Sequence, residues 1–93
     1  MICDIRISST AKKQLRMVPV YIASKLKAWV EAVEHDGLEN VRKVPGFHDE
    51  PLRGKRKGQQ SIRLSIHYRA IYEIQSDGSI QFVSLEEINK HEY

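Results

Sequence analysis

The sequence predicts an α+β domain, with an N-terminal strand and two to three helices packed on a small antiparallel β-sheet. Two changes of period carry this expectation. Apolar residues recur at helical spacing through the first half of the chain, and from Ser61 onward they alternate at the strand period of two. The Asp77-Gly78 dipeptide between two apolar-alternating segments adds a hairpin turn, which makes neighbouring strands antiparallel.

The elements follow in order. Residues 3–7 alternate apolar Cys3, Ile5 and Ile7 with Asp4 and Arg6, as a short strand does. Ser8 or Ser9 can then cap a short helix whose Ala11, Leu15 and Val18 share a stripe. Pro19 suits the start of a second helix. Ile22, Leu26, Trp29, Val30 and Val33 recur at helical spacing until Gly37 supplies a stop. Residues 38–43 read as a further turn of helix before Pro45-Gly46 breaks the chain.

The second half is a sheet. Over residues 61–74, Ile62, Leu64, Ile66, Tyr68, Ala70, Tyr72 and Ile74 point one way. Ser61, Arg63, Ser65, His67, Arg69 and Glu73 point the other, with Ile71 the exception. The run is too long for one ordinary strand, so a hairpin with its turn near Ile66 is expected, followed by a second through Asp77-Gly78 into residues 80–86. Keeping the apolar set on one face requires paired residue numbers with an even sum. A three-residue loop centred on Ile66 makes that sum 132 and sets Arg63 opposite Arg69. Like charges directly across two strands repel unless something negative lies between them, so this register suggests an anion site.

Composition bounds the rest. The 93 residues are expected to form one domain over 1–93, and at 41% hydrophobic and 29% charged the chain should fold. A lone Cys3 allows no internal disulfide and no cysteine-based zinc site, which fits a reducing cytoplasm. Asp4 and Arg6 interrupt the N-terminus where a signal peptide needs an apolar core, and no apolar stretch is long enough to span a membrane. A net charge of +3 and a pI near 9.1 permit an anionic partner.

Charge is segregated along the chain. Residues 51–72 hold six Lys or Arg and no Asp or Glu. Arg53, Lys55, Arg56 and Lys57 lie around Gly54 and before Gly58, a mobile loop able to follow a phosphate backbone; alone it is also an ordinary solvated loop. Joined to Arg63 and Arg69 with no carboxylate nearby, it reads as a polyanion surface. Glu50, at the edge of this field, can serve as a general base toward a hydroxyl, or simply be a surface glutamate. His91 and Tyr93 share a side of an extended tail, and a histidine exchanges protons near neutral pH. His48 and His67 are further acid or base candidates. The histidines, His35 included, share no metal-ligand spacing with carboxylates, so no metal is expected. No phosphate-binding glycine loop and no Ser-His-Asp arrangement is visible, and Cys3 reads as a small buried hydrophobe.

LRGKRKGQQSIRLSIHYRAIY, residues 52–72, resembles the signature of HigB-type killer proteins within the RelE/ParE superfamily of bacterial toxin-antitoxin toxins. The shared pattern is a Leu-Lys/Arg-Gly opening, a basic Gly-flanked loop, a Ser-Ile-Arg strand and a Tyr-Arg strand, and the strand-helix-helix-sheet order matches over nearly the whole chain. The resemblance implies a ribosome-dependent mRNA endonuclease that needs no cofactor and is neutralised by a cognate antitoxin; relatives that inhibit gyrase without catalysis are the alternative. By the same resemblance Glu50 falls where some members keep a general base, Arg69 matches an arginine that stabilises the scissile phosphate, and Arg63 matches a second phosphate contact. His91 and Tyr93 look like the C-terminal pair that supplies an acid or stacks on a base, although their spacing varies among relatives. The paired lysines of RelE have no counterpart beyond Lys55 and Lys57.

Overall fold

In the structure, a computed structural model that describes residues 4–88, local sequence accounts for most elements. Strand β1 (Ile5–Ile7) leads into helix α1 (Ser9–Leu15), and the Ser8 Oγ accepts from the Ala11 amide at 3.1 Å as an N-cap. Helix α2 (Val20–Asp36) begins directly after Pro19 and ends at Gly37, whose φ of 84° suits glycine. Its buried Ile22, Leu26, Trp29 and Val33 step by four, three and four along one stripe. Helix α3 (Leu38–Val41) is a single turn, shorter than the expected 38–43, that buries Leu38 and Val41.

Four more strands follow: β2 (Glu50–Pro51), β3 (Gln59–Arg63), β4 (Tyr68–Ile74) and β5 (Ile80–Glu87). The sheet order is β1-β5-β4-β3-β2; β1 runs parallel to β5 and every other pair is antiparallel. Both expected hairpins are present. Arg63 pairs with Arg69, Ile62 with Ala70 and Ser61 with Ile71, each pair summing to 132. The apolar alternation is less complete than expected: Ile66 is 73% exposed at the hairpin tip and Ile74 is 41% exposed at the end of its strand.

The helices cover one face of the sheet. Trp29 of α2 packs against Tyr72 and Phe82 with ring centroids 5.3 Å away in each case, and Ile62, Ala70, Ile80 and Leu85 complete the sheet's share of this core. Ile71 is also fully buried but belongs to the opposite face, with Arg69 and Glu73.

A β-bulge decides what that second face carries. Tyr72 pairs with Phe82 but Ile71 pairs with Ser84, so Val83 is an extra residue in β5. Before it Ile80 and Phe82 face the core; after it Leu85 does, and Ser84 and Glu86 turn to the open side. An unbroken strand over residues 80–86 would have aimed Glu86 into the core. Beyond the end of β1, α1 satisfies the backbone of β5: the Ser8 amide donates to the Phe82 carbonyl at 3.0 Å, the Ser8 Oγ donates to the Val83 carbonyl at 2.9 Å, and the Leu85 amide donates to Gln14 Oε1 at 2.7 Å.

Candidate anion site on the open face of the sheet

Direct cross-strand partners project to the same side, so Arg63, Arg69 and Glu86 form a row across β3, β4 and β5 on the open face. The next row is Glu50, Ser61, Ile71 and Ser84. Glu50 is exposed at the sheet edge, diagonal to Arg63 at a spacing of about 7–8 Å for such neighbours.

Glu86, at the β5 end of the row, is where the guanidinium groups converge. Its Oε1 accepts from Arg69 Nη2 at 2.9 Å, from Arg69 Nε at 3.2 Å and from Arg56 Nη1 at 3.1 Å. Its Oε2 accepts from Arg56 Nη2 and from the Ser84 hydroxyl at 3.2 Å. The Arg56 hydrogen bonds, ahead of those from Arg69, hold the Glu86 carboxyl down to about 2 against the opposing effect of burial. The same contact raises the Arg56 guanidinium above its usual value.

This overturns one expectation and adds a contact to another. The basic field was read as free of carboxylates, yet β5 places Glu86 inside it from outside residues 51–72. The Gly-flanked loop is expected to be mobile and able to follow a phosphate backbone. Gly54–Arg56 forms a 3-10 turn, with φ values of 66° at Gly54 and 98° at Gly58, and Arg56 is tied across the face to Glu86. Arg53, Lys55 and Lys57 remain exposed. Arg63 is exposed and makes no ion pair or side-chain hydrogen bond among the described residues, so its donors face outward beside Arg69.

The histidines are scattered. His48 is exposed with a left-handed φ of 46°, and the His67 carbonyl accepts from the Ile88 amide at 2.6 Å. His91 and Tyr93 lie outside the described residues, as does Cys3. Among the described residues no three His, Cys, Asp or Glu converge, and no helix is long and apolar enough to cross a membrane.

One buried ionisable group was missed in the sequence. The Asp49 side chain is only 2% exposed; Tyr72 Oη donates to its Oδ2 at 2.5 Å and Arg42 Nε lies 3.8 Å from its Oδ1. Burial raises the Asp49 carboxyl, opposed by Tyr72 and Arg42, and burial followed by the Asp49 contact raises the Tyr72 hydroxyl. Asp49 thereby ties the start of β2, and with it Glu50, to α3 and β4. The sequence around it, His48-Asp49-Glu50-Pro51, reads as a polar loop with no period to signal burial.

On the helical side a separate groove of about 510 Å³ lies between α1 and α2, lined by Ile7, Leu15, Val18, Val20, Leu26 and Val30 and edged by Arg16 and Lys27. Met17 and Val20 at the helix turn are 85% and 81% exposed.

No protein-family model and no curated protein matches the sequence. Solved structures do match. RelE in the archaeal RelE-RelB complex from Pyrococcus horikoshii aligns with a TM-score of 0.72 at 20% identity, covering 97% of this chain and 99% of that one. The YoeB-YefM toxin-antitoxin complex from Staphylococcus aureus gives 0.70 at 16% identity over 96% and 100%. YafQ from E. coli gives 0.68 at 21% identity over 90% and 91%. The fold of this chain is the one found in these RelE, YoeB and YafQ structures.

Proposed function

We propose that this chain is a HigB-like toxin of the RelE/ParE superfamily and acts as a ribosome-dependent mRNA endonuclease in the cytoplasm. The observation that carries the reading is the Arg63–Arg69 cross-strand pair, with Arg63 facing outward and Glu50 one row away on the same face. Two guanidinium groups side by side on one sheet face suit a phosphate diester, which accepts hydrogen bonds from both. The resemblance of residues 52–72 to the family signature and the fold shared with RelE, YoeB and YafQ support the same reading.

The chemistry needs no metal. Glu50 takes the proton of a 2′-hydroxyl, whose oxygen attacks the adjacent phosphorus. The new O2′–P bond forms as the P–O5′ bond breaks, and the leaving oxygen takes a proton from His91, with Tyr93 stacking on a neighbouring base. The products are a 2′,3′-cyclic phosphate and a 5′-hydroxyl. Arg63 and Arg69 donate to the charge that grows on the phosphorane oxygens, where one well-placed donor contributes about 3–4 kcal/mol to lowering the barrier. Arg53, Lys55 and Lys57 hold the flanking RNA backbone, and Arg56 joins them where it is released from Glu86.

The partner proposed with this activity is a cognate antitoxin, in keeping with neighbours solved as toxin-antitoxin complexes. Residues 5–30 hold six Lys or Arg and no Asp or Glu, so the α1–α2 groove suits an apolar segment of that antitoxin with acidic flanks.

The test is induction in bacteria without antitoxin, with transcript 5′ ends mapped with and without active translation. Cleavage inside translated codons leaving 5′-hydroxyl ends is the expected result. Growth arrest with intact transcripts would replace this reading by gyrase inhibition, in which the basic face is a docking surface.

A further inference from the structure

The two guanidinium groups that converge on Glu86 are arranged as they would be around a phosphate. A carboxylate that takes three N–H bonds on one oxygen, and an N–H and an O–H bond on the other, fills the space and satisfies the donors that an RNA phosphate would use. The bulge at Val83 places it there, and the charge of Arg56, Arg63, Arg69 and Glu86 together comes to +2 instead of +3. Arg56 reaches Glu86 only because the loop after β2 crosses the open face, so the same contact also latches this loop over the surface that a nucleic acid strand would occupy.

We infer that Glu86 is a built-in competitor for phosphate: in the free protein it holds Arg56 and Arg69, and RNA binds by exchanging these guanidinium groups from the carboxylate to its own backbone. The inference rests on the reading of this face as a phosphate site, but not on cleavage. Exchange restrains the site in two ways. A single phosphate must outbid a carboxylate already in place, whereas an RNA strand that also engages Arg53, Lys55, Lys57 and Arg63 gains enough contacts to do so. Release of Arg56 then unlatches the loop, so the surface opens only as a strand arrives.

The experiment compares wild type with Glu86→Gln for binding of a short 2′-O-methylated RNA, whose blocked hydroxyl prevents cleavage, over a range of salt. Glu87→Gln is the control, because it removes the same charge from the exposed neighbouring position. Glu86→Gln should bind on the order of tenfold tighter, with a salt slope steeper by about 0.7 for each guanidinium released. Glu87→Gln should gain far less, and adding Arg69→Ala to Glu86→Gln should remove most of the gain. Equal gains in the two glutamate variants, no gain in Glu86→Gln, or no binding by any variant would overturn the inference. Should Glu86→Gln not fold, the wild-type protein still tests it: on addition of the RNA, the Arg69 Nε–H and Glu86 carboxyl resonances should shift together, and their staying fixed while the Arg63 signals move would overturn it. Transcript mapping is independent of both arms. Exchange without cleavage would remove the nuclease and keep the competitor, and cleavage without exchange would do the reverse.

Discussion

Arg63 and Arg69 are direct cross-strand partners on the open face, and the repulsion between them is relieved from one side only, by Glu86 bonded to Arg69. Arg63 is left as an exposed cation with its donors turned outward. Such a pair contributes to binding an anion at the expense of stability.

Arg63→Ala should therefore separate function from folding. Cleavage of translated mRNA should fall by a factor on the order of 10²–10³, as for loss of one donor to developing charge. The melting temperature should stay level or rise slightly, since a like-charge pair is removed. A lowered melting temperature with unchanged cleavage would show that Arg63 is structural. Arg69→Ala should lose cleavage to a similar degree and also lose stability, because Arg69 is tied to Glu86.

Acid should weaken the fold through Glu86. Its folded value of about 2 lies below the ordinary 4.5, so its contribution is fully present above pH 4.5 and is lost as pH falls toward 2. Asp49 works in the opposite direction, since its raised value favours the fold at low pH and that contribution is lost as pH rises. Urea unfolding at a series of pH values should show a decline below pH 4.5 that is much flatter in Glu86→Gln. An equally steep decline in that variant would assign the effect to other carboxylates.

Tyr72→Phe should cost about 1–3 kcal/mol, because it leaves the buried Asp49 oxygen without its hydroxyl donor. The ring keeps its packing against Trp29 and Phe82, so a loss in this range measures the hydrogen bond and not a cavity. Thermal and urea unfolding check this, and a variant as stable as wild type would mean that water replaces the hydroxyl.

The α1–α2 groove gives a test that leaves the site untouched. Val20 is 81% exposed, so Val20→Asp should fold normally and retain toxicity while weakening its antitoxin about tenfold or more in Kd. Lys27→Glu should act in the same direction through charge. Full neutralisation of both variants by the antitoxin would place that partner elsewhere on the surface.

Helix α2 and the β3–β4 hairpin were legible because both are written in short-range periods. Ile22, Leu26, Trp29 and Val33 define a stripe bounded by Pro19 and Gly37, and the even-sum parity of residues 61–74 together with a three-residue loop centred on Ile66 sets Arg63 opposite Arg69. Ser8 as a cap is equally local. The parallel pairing of β1 with β5 was not legible, because it joins segments some 75 residues apart whose alternation is the same for either neighbour.

What the amino-acid order determined by itself is the helices, the opening strand, the two hairpins with the register of the first, and the basic character of one sheet face, all consequences of period, caps and turns within a few residues. Only the tertiary structure decided that Val83 is bulged out of the β5 ladder, that Glu86 consequently leaves the core side to meet Arg69 and Arg56, and that Asp49 is buried against Tyr72. The physical reason is the same in each case. A bulge inverts every later side chain in its strand without any local mark, and the burial of a charge depends on which distant donors come to meet it.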